Sequence, residues 1–238
     1  MIILNRKRLT IILSCMIMAV FAFTFQVADQ NKTVQTVSLP VSNKVIVLDA
    51  GHRKTRWTEL SQAIGTTEAE TNLKIALKVQ SLLEQSGATV ILTRSDENAI
   101  YDLDKTTLRE KKISDIHNRV KIGNESSADI FVSIHLNKIP QSQYYGWQCF
   151  YKENDEKSTN LAKSIQENLN EAIQKENKRV AMKLNTVYIM KHVEIPISIV
   201  ECGFLSNPEE ESKLLTDEYQ DKLAWGIYNG IMDYFYEQ

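Results

Sequence analysis

The chain has 238 residues, 43% of them apolar and 24% charged, enough to bury the core of one domain of ordinary size. Its formal net charge is −2, and from residue 30 onward 25 Lys and Arg stand against 29 Asp and Glu. That balance argues against a polyanion, and so against nucleic acid, as partner. The three cysteines, Cys15, Cys149 and Cys202, have no Cys-x-x-Cys spacing. They suggest neither a disulfide framework nor a cysteine zinc site, and Cys149 and Cys202 read as small buried apolar residues.

Arg6-Lys7-Arg8 precedes Leu9 to Phe25, a run without charge. This is the order of a secretory signal, basic residues first and apolar stretch second. At about 17 residues the run lies at the short limit for spanning a bilayer. Residues 1–29 therefore read as a cleaved signal peptide or an N-terminal membrane anchor through residues 9–25. The polar stretch 30–43 reads as a linker, and 44–238 as the folded domain.

Within 44–238, short apolar runs alternate with helical patterns, the signature of a parallel-sheet α/β domain. Val45 to Leu48 is a buried strand leading into Asp49-Ala50-Gly51-His52. Thr67 to Ser86 has helical apolar spacing and stops at Gly87. Thr89 to Thr93 is the second strand, and Leu108 to Asn124 the next helix. Ile130 to Ile134 is the third strand, leading into His135, and Tyr145 to Tyr151 the fourth. Ser158 to Lys175 is a helix, Thr186 to Met190 a fifth strand, and Ile197 to Val200 a sixth, leading into Glu201. Pro208 to Glu237 reads as one or two helices. The expected architecture is a single α/β domain: a mainly parallel (mixed) six-stranded sheet with helices on both faces and the functional site at the carboxyl ends of the strands.

Three strands lead into ionisable residues, His52, His135 and Glu201, and ligands of open parallel sheets bind at those ends. Glu68 adds a fourth, although a carboxylate in the first turn of a helix also serves the helix dipole alone. Hydrolytic zinc takes three protein ligands, commonly His and Glu, with a separate carboxylate moving the proton. His52, Glu68 and His135 suit the ligand roles and Glu201 the base. His117 lies mid-helix, and His192, before the last strand, is a candidate for orienting a ligand or touching substrate.

The same residues sit in four stretches: Val47 to His52, Thr67 to Leu73, Ala128 to Asn137, and Val200 to Asn207. In order, these resemble the zinc-dependent N-acetylmuramoyl-L-alanine amidases, which release stem peptides from peptidoglycan. Within that family the chain is similar to the germination-specific amidases of the spore cortex. The resemblance implies zinc on His52, Glu68 and His135, and an essential glutamate at Glu201. It implies Asn137 and Asn207 as substrate contacts and Arg119 as a structural or supporting residue. It further implies an exported enzyme, acting outside the membrane or in the cortex space, whose product feeds muramic δ-lactam formation.

One stretch departs from the pattern. After Gly-His the family carries a glycine-rich loop with an aspartate; here Arg53 to Ile64 reads RKTRWTELSQAI. It reads either as a specialised loop, with Trp57 stacking on sugar, or as the result of small compensating frame changes in the gene. Two rival functions stay open beside the amidase: a zinc peptidase acting within the stem peptide, and a non-catalytic wall-binding protein with an impaired zinc site. Between them lies an enzyme that holds zinc weakly until a spore-envelope activator protein closes the site.

Overall fold

The computed structural model describes residues 10, 13–21, 38–52 and 68–237. The chain divides into two compact units, Met1–Ser38 and Leu39–Gln238. In the first, residues 13–21 are helical. Among the described residues no helix is long and apolar enough to cross a membrane. The rest of the predicted export segment, most of the linker and all of Arg53 to Ile64 lie outside the described residues. The end of the predicted linker belongs to the second unit: Val41 is fully buried, and Asn43 N donates to Gly87 O at 3.0 Å.

The second unit is built on strands β1 (Val45–Ala50), β2 (Thr89–Leu92), β3 (Ile130–Asn137), β4 (Gln148–Tyr151), β5 (Met182–Lys183) and β6 (Ile197–Phe204). Their spatial order is β2-β1-β3-β6-β4-β5. Neighbours among β2, β1, β3 and β6 are parallel, β4 is antiparallel to β6, and β5 is parallel to β4. The expected mixed six-stranded sheet is therefore present. β1, VIVLDA, is buried along nearly its whole length, as strands covered on both faces are.

Helices α1 (Glu68–Gln85), α3 (Glu156–Ile173) and α6 (Asp217–Tyr236) cover one face. Ile46, Leu48, Val132, Ile134, Val200 and Cys202 point into them. The opposite face holds Val47, Phe131, Ile197 and Ile199 under α2 (Leu108–Glu125) and the short α4 (Tyr188–His192). α5 (Pro208–Leu214) separates β6 from α6. Four of the helix starts have a local cause. Thr107 and Glu110 form a reciprocal capping box on α2, and Asp155, Asn207 and Thr216 cap α3, α5 and α6 with side-chain oxygens.

The fifth strand is a correction. Thr186 to Met190 was expected as a strand, but Tyr188–His192 is helical and the fifth strand is Met182–Lys183. A short apolar run has no period of its own, so helix and strand cannot be told apart without the surroundings. Here one side of the turn, Ile189 and Met190, fills the second core beside Phe131. Two boundaries also move. Gly146 takes φ +91°, a left-handed conformation that delays β4 to Gln148, and α2 runs on to Glu125, one residue past the expected Asn124.

Candidate metal centre

β3 and β6 pair so that His135 lies opposite Glu201, with Ser133 opposite Ile199. Side chains alternate along a strand, so His135 and Glu201 project from the same face, the one that carries Phe131 and Ile197 deeper down. Both strands run past these residues, to Asn137 and Phe204, with a register shift between. The pair therefore lies within the carboxyl-terminal part of the sheet rather than at its last residues. His52 follows β1 by two residues, and Glu68 opens α1.

These segments bring His52, Glu68 and His135 together, with one potential ligand atom of each within 4.8 Å of the others. His52 Nε2 and Glu68 Oε1 are 3.0 Å apart. Even so, Glu68 Oε1 is buried without a hydrogen-bond partner, as is Glu201 Oε2. A buried oxygen of this kind costs free energy unless something else completes it. The donor set, two imidazoles and a carboxylate, is one that zinc takes in hydrolytic sites. The residues present thus fit that metal.

Electrostatics point the same way. Burial, and then the charge of Glu201, pushes the Glu68 carboxyl up to about 8, and burial pushes Glu201 up to about 7. Burial, with His52 next, pushes His135 down to about 4, so its imidazole is neutral at neutral pH. Burial followed by Arg119 and Lys112 also lowers His52. A site that disfavours both bare carboxylates and imidazolium suits a divalent cation.

Beneath the ligands lies a buried polar network only partly anticipated. Asp49, one strand over from Ser133, accepts from Ser133 Oγ and Arg119 Nη1 and, at 2.6 Å, from Thr93 Oγ1. Burial works to raise the Asp49 pKa, but Arg119, His135 and the two hydroxyls hold it below its ordinary value. Arg119 also donates to Ala50 O at 2.9 Å, His52 O at 3.3 Å and Asp115 Oδ2 at 3.0 Å. Arg94, not singled out by sequence, donates to Ala50 O at 2.8 Å, Gly51 O at 3.1 Å and Ala69 O at 2.7 Å. One guanidinium thereby joins the turn before His52 to the helix start that carries Glu68. This anchoring supports His52 at φ 55°, a left-handed conformation costly for a residue with a Cβ. The available signal was a charged residue directly after the expected strand Thr89 to Thr93.

The remaining candidates divide. Asn137 ends β3, half-buried, at the site's end of the sheet. Asn207 is committed elsewhere. Its Oδ1 caps α5 by accepting from Glu209 N and Glu210 N, and its Nδ2 donates to Tyr144 O at 3.3 Å. His192 is not brought to the site. It closes α4 ahead of the amino end of β6, stacked on Tyr188, with its Nδ1 2.8 Å from Tyr188 O. Glu201 lies four residues into β6, roughly 13 Å further along. Sequence proximity to the last strand had suggested the wrong end of it.

Residues 46–233 match the family model described as N-acetylmuramoyl-L-alanine amidase. The germination-specific N-acetylmuramoyl-L-alanine amidase of Bacillus subtilis (strain 168) is 34% identical over 222 residues, 93% of this chain and 92% of that protein. The CwlD amidase from Clostridioides difficile, solved in complex with the GerS lipoprotein, superposes with a TM-score of 0.76 at 40% identity. The match covers 82% of this chain and 100% of that one. The catalytic domain of CwlV, an N-acetylmuramoyl-L-alanine amidase from Bacillus (Paenibacillus) polymyxa, gives 0.65 at 30% identity over 82% and 99% of the two chains.

Proposed function

Since this chain belongs to the N-acetylmuramoyl-L-alanine amidase family, we propose that it hydrolyses, with zinc, the amide joining N-acetylmuramic acid to the L-alanine of the peptidoglycan stem peptide. The observation that carries this reading is Glu201. It is a carboxylate with an unpartnered buried oxygen, directly across from His135 and beside a cluster of three potential ligands.

In this reading His52, Glu68 and His135 hold the ion. Zinc held there would supply Lewis acidity, polarising the scissile carbonyl and making water nucleophilic near neutral pH. The chain's own residues supply the rest. His135, neutral at neutral pH, keeps its lone pair for coordination. Glu201, directly across from His135, takes a proton from the attacking water and returns it to the departing alanine nitrogen. Asp49, Arg119 and Arg94 hold the loop and the helix start that carry two of the ligands. Asn137 is placed to touch substrate at the end of β3.

The B. subtilis relative's germination-specific name and the GerS complex of the C. difficile relative extend the proposal. We place this chain in spore-cortex maturation, where its product leads to muramic δ-lactam, with a spore-envelope protein as activating partner. Such a substrate lies outside the membrane, and Arg6-Lys7-Arg8 followed by Leu9 to Phe25 supplies the export signal or anchor.

The test is muropeptide analysis with the wild type beside Glu201→Gln. Wild type should release stem peptides beginning with L-alanine. The variant should lose about 10²- to 10⁴-fold in kcat while retaining its zinc. Full activity in the variant removes Glu201 from the reaction, and products cut inside the stem favour the peptidase. Metal content far below one equivalent, with no activity on added zinc, favours a wall-binding protein.

A further inference from the structure

Arg179 has no part in the site described so far, yet it lies close to it. Gln148, the first residue of β4, pairs directly with Glu201 across the antiparallel β4–β6 ladder. Directly opposed residues project from the same face, with Cβ atoms about 5 Å apart. Gln148 Oε1 accepts from Arg179 Nη1 at 3.1 Å. The guanidinium is therefore one side chain removed from Glu201, on the order of 10 Å away, at the end of the sheet where the ligands converge.

Its placement is rigid. Arg179 Nε donates to Tyr145 O at 3.0 Å, and its backbone N to Asn177 Oδ1 at 3.2 Å. The guanidinium carbon lies 4.6 Å from the centre of the buried Phe204 ring and 5.8 Å from that of Tyr144, which is 44% exposed. The Tyr144 loop is tied down in turn: Gly146 N donates to Glu210 Oε1 at 2.8 Å, and Asn207 Nδ2 to Tyr144 O. Among the described residues no carboxylate lies within ion-pair distance of Arg179, and its Nη2 makes no hydrogen bond. A planar cation held on aromatic rings, with donors left over, is suited to a carboxylate.

The geometry points to Arg179 as a carboxylate-binding position for the stem peptide, a reading that rests on the amidase function proposed above. The amide to be cut precedes L-alanine, and the next stem residue is a D-glutamate joined through its side chain. Its α-carboxylate lies about 7 Å beyond the scissile amide in an extended peptide. That residue occurs in cell walls either as the free acid or as the amide. Arg179 makes the enzyme select the acid, and Tyr144 forms the exposed wall of that position.

The experiment compares kcat/KM of the zinc-loaded full chain on two muropeptides, one carrying the free α-carboxylate and the other its amide. Wild type should favour the acid by on the order of tenfold to hundredfold, mostly through KM. Arg179→Gln should bring the two substrates within about twofold of each other, and Arg179→Lys should keep part of the preference. A purely structural role would lower activity on both substrates alike and leave the preference intact, which overturns the proposal. So does a wild type indifferent to the carboxylate. Binding of L-alanyl-γ-D-glutamate and its α-amide to the metal-free chain separates this idea from the catalytic one. Tighter binding of the acid, lost in Arg179→Gln, upholds it even if no amide is cut; equal binding overturns it.

Discussion

At the scale of single residues, what surrounds the ligands is as specific as the ligands themselves. Gly51 is the sharpest case. Its φ is not in the left-handed region, so its need for glycine is steric. A Cβ there would lie 2.3 Å from both Cε1 and Nε2 of His135. Gly51 also anchors the turn, its N donating to Ile134 O at 2.8 Å and its O accepting from Asn72 and Arg94. In Gly51→Ala the backbone stays pinned and the imidazole must move, taking a metal ligand out of place. We expect zinc affinity to fall on the order of 10- to 100-fold with the far-UV circular dichroism unchanged. A competition titration against a chromophoric chelator reads the loss, and unchanged affinity would sink the steric account. The sequence motif Asp49-Ala50-Gly51-His52 displays this glycine, but not what it makes room for. His135 comes from 84 residues further along, and only the β1–β3 pairing brings the two together.

At the scale of elements, the close packing of α3 on α6 sets how the sheet's first face is covered. Gly230 and Gly226 lie in α6 against α3. A Cβ at Gly230 would stand 2.4 Å from Ile165 Cα, and one at Gly226 2.9 Å from Leu169 Cα. Ser164 Oγ donates to Gly230 O at 2.8 Å across the same contact. Because the obstacle at Gly230 is backbone, no rotamer change relieves it, and the helices must separate. Gly230→Ala should therefore cost about 1–3 kcal/mol by overpacking, against the gain alanine brings to an exposed helix. Denaturant unfolding measures the change in midpoint, and a stabilised variant would contradict this packing. α4 carries the opposite lesson. Its sequence, Tyr188-Ile189-Met190-Lys191-His192, was open to either strand or helix, and the place left under Val193 and Phe131 decided for a helix turn.

At the scale of the whole molecule, metal, protons and stability are linked. Glu68 and Glu201 have pKa values raised above the ordinary carboxylate value, to about 8 and about 7. Relative to the unfolded chain, their contribution to the stability of the metal-free protein is fully present below about 4.5. It is lost as pH rises through 7 to 8. His135 has the opposite sign. Depressed to about 4, it contributes above 6.5 and its contribution is lost as pH falls toward 4. If Glu68 is a ligand, as proposed, coordination needs its carboxylate, and zinc binding below pH 8 should release a proton and tighten as pH rises from 6 to 8. Calorimetric titration with zinc in buffers of different ionisation enthalpy reports the proton directly. A binding enthalpy independent of buffer at pH 7 would show that Glu68 is already ionised. Zinc bound only by the folded state should also raise Tm.

Much of this protein could be read from its residues in order. Periodicity and apolar runs marked β1, β2, β3 and β6 and most of the helices, because buried strands and amphipathic helices leave local patterns. The four family stretches pointed to His52, Glu68, His135 and Glu201. What remained hidden depends on distance in the fold. No local pattern shows that Asp49 faces Ser133, that Arg94 joins the turn before His52 to the start of α1, or that Gln148, paired across from Glu201, accepts from Arg179. Nor does any show that Asn207 spends its amide on a helix cap while His192 sits at the wrong end of β6. Sequence by itself determined most of the elements and pointed to the chemistry of the candidate ligands, since both follow from local residue type and spacing. Strand register decided the rest, because a shift of one residue turns a side chain to the opposite face of the sheet.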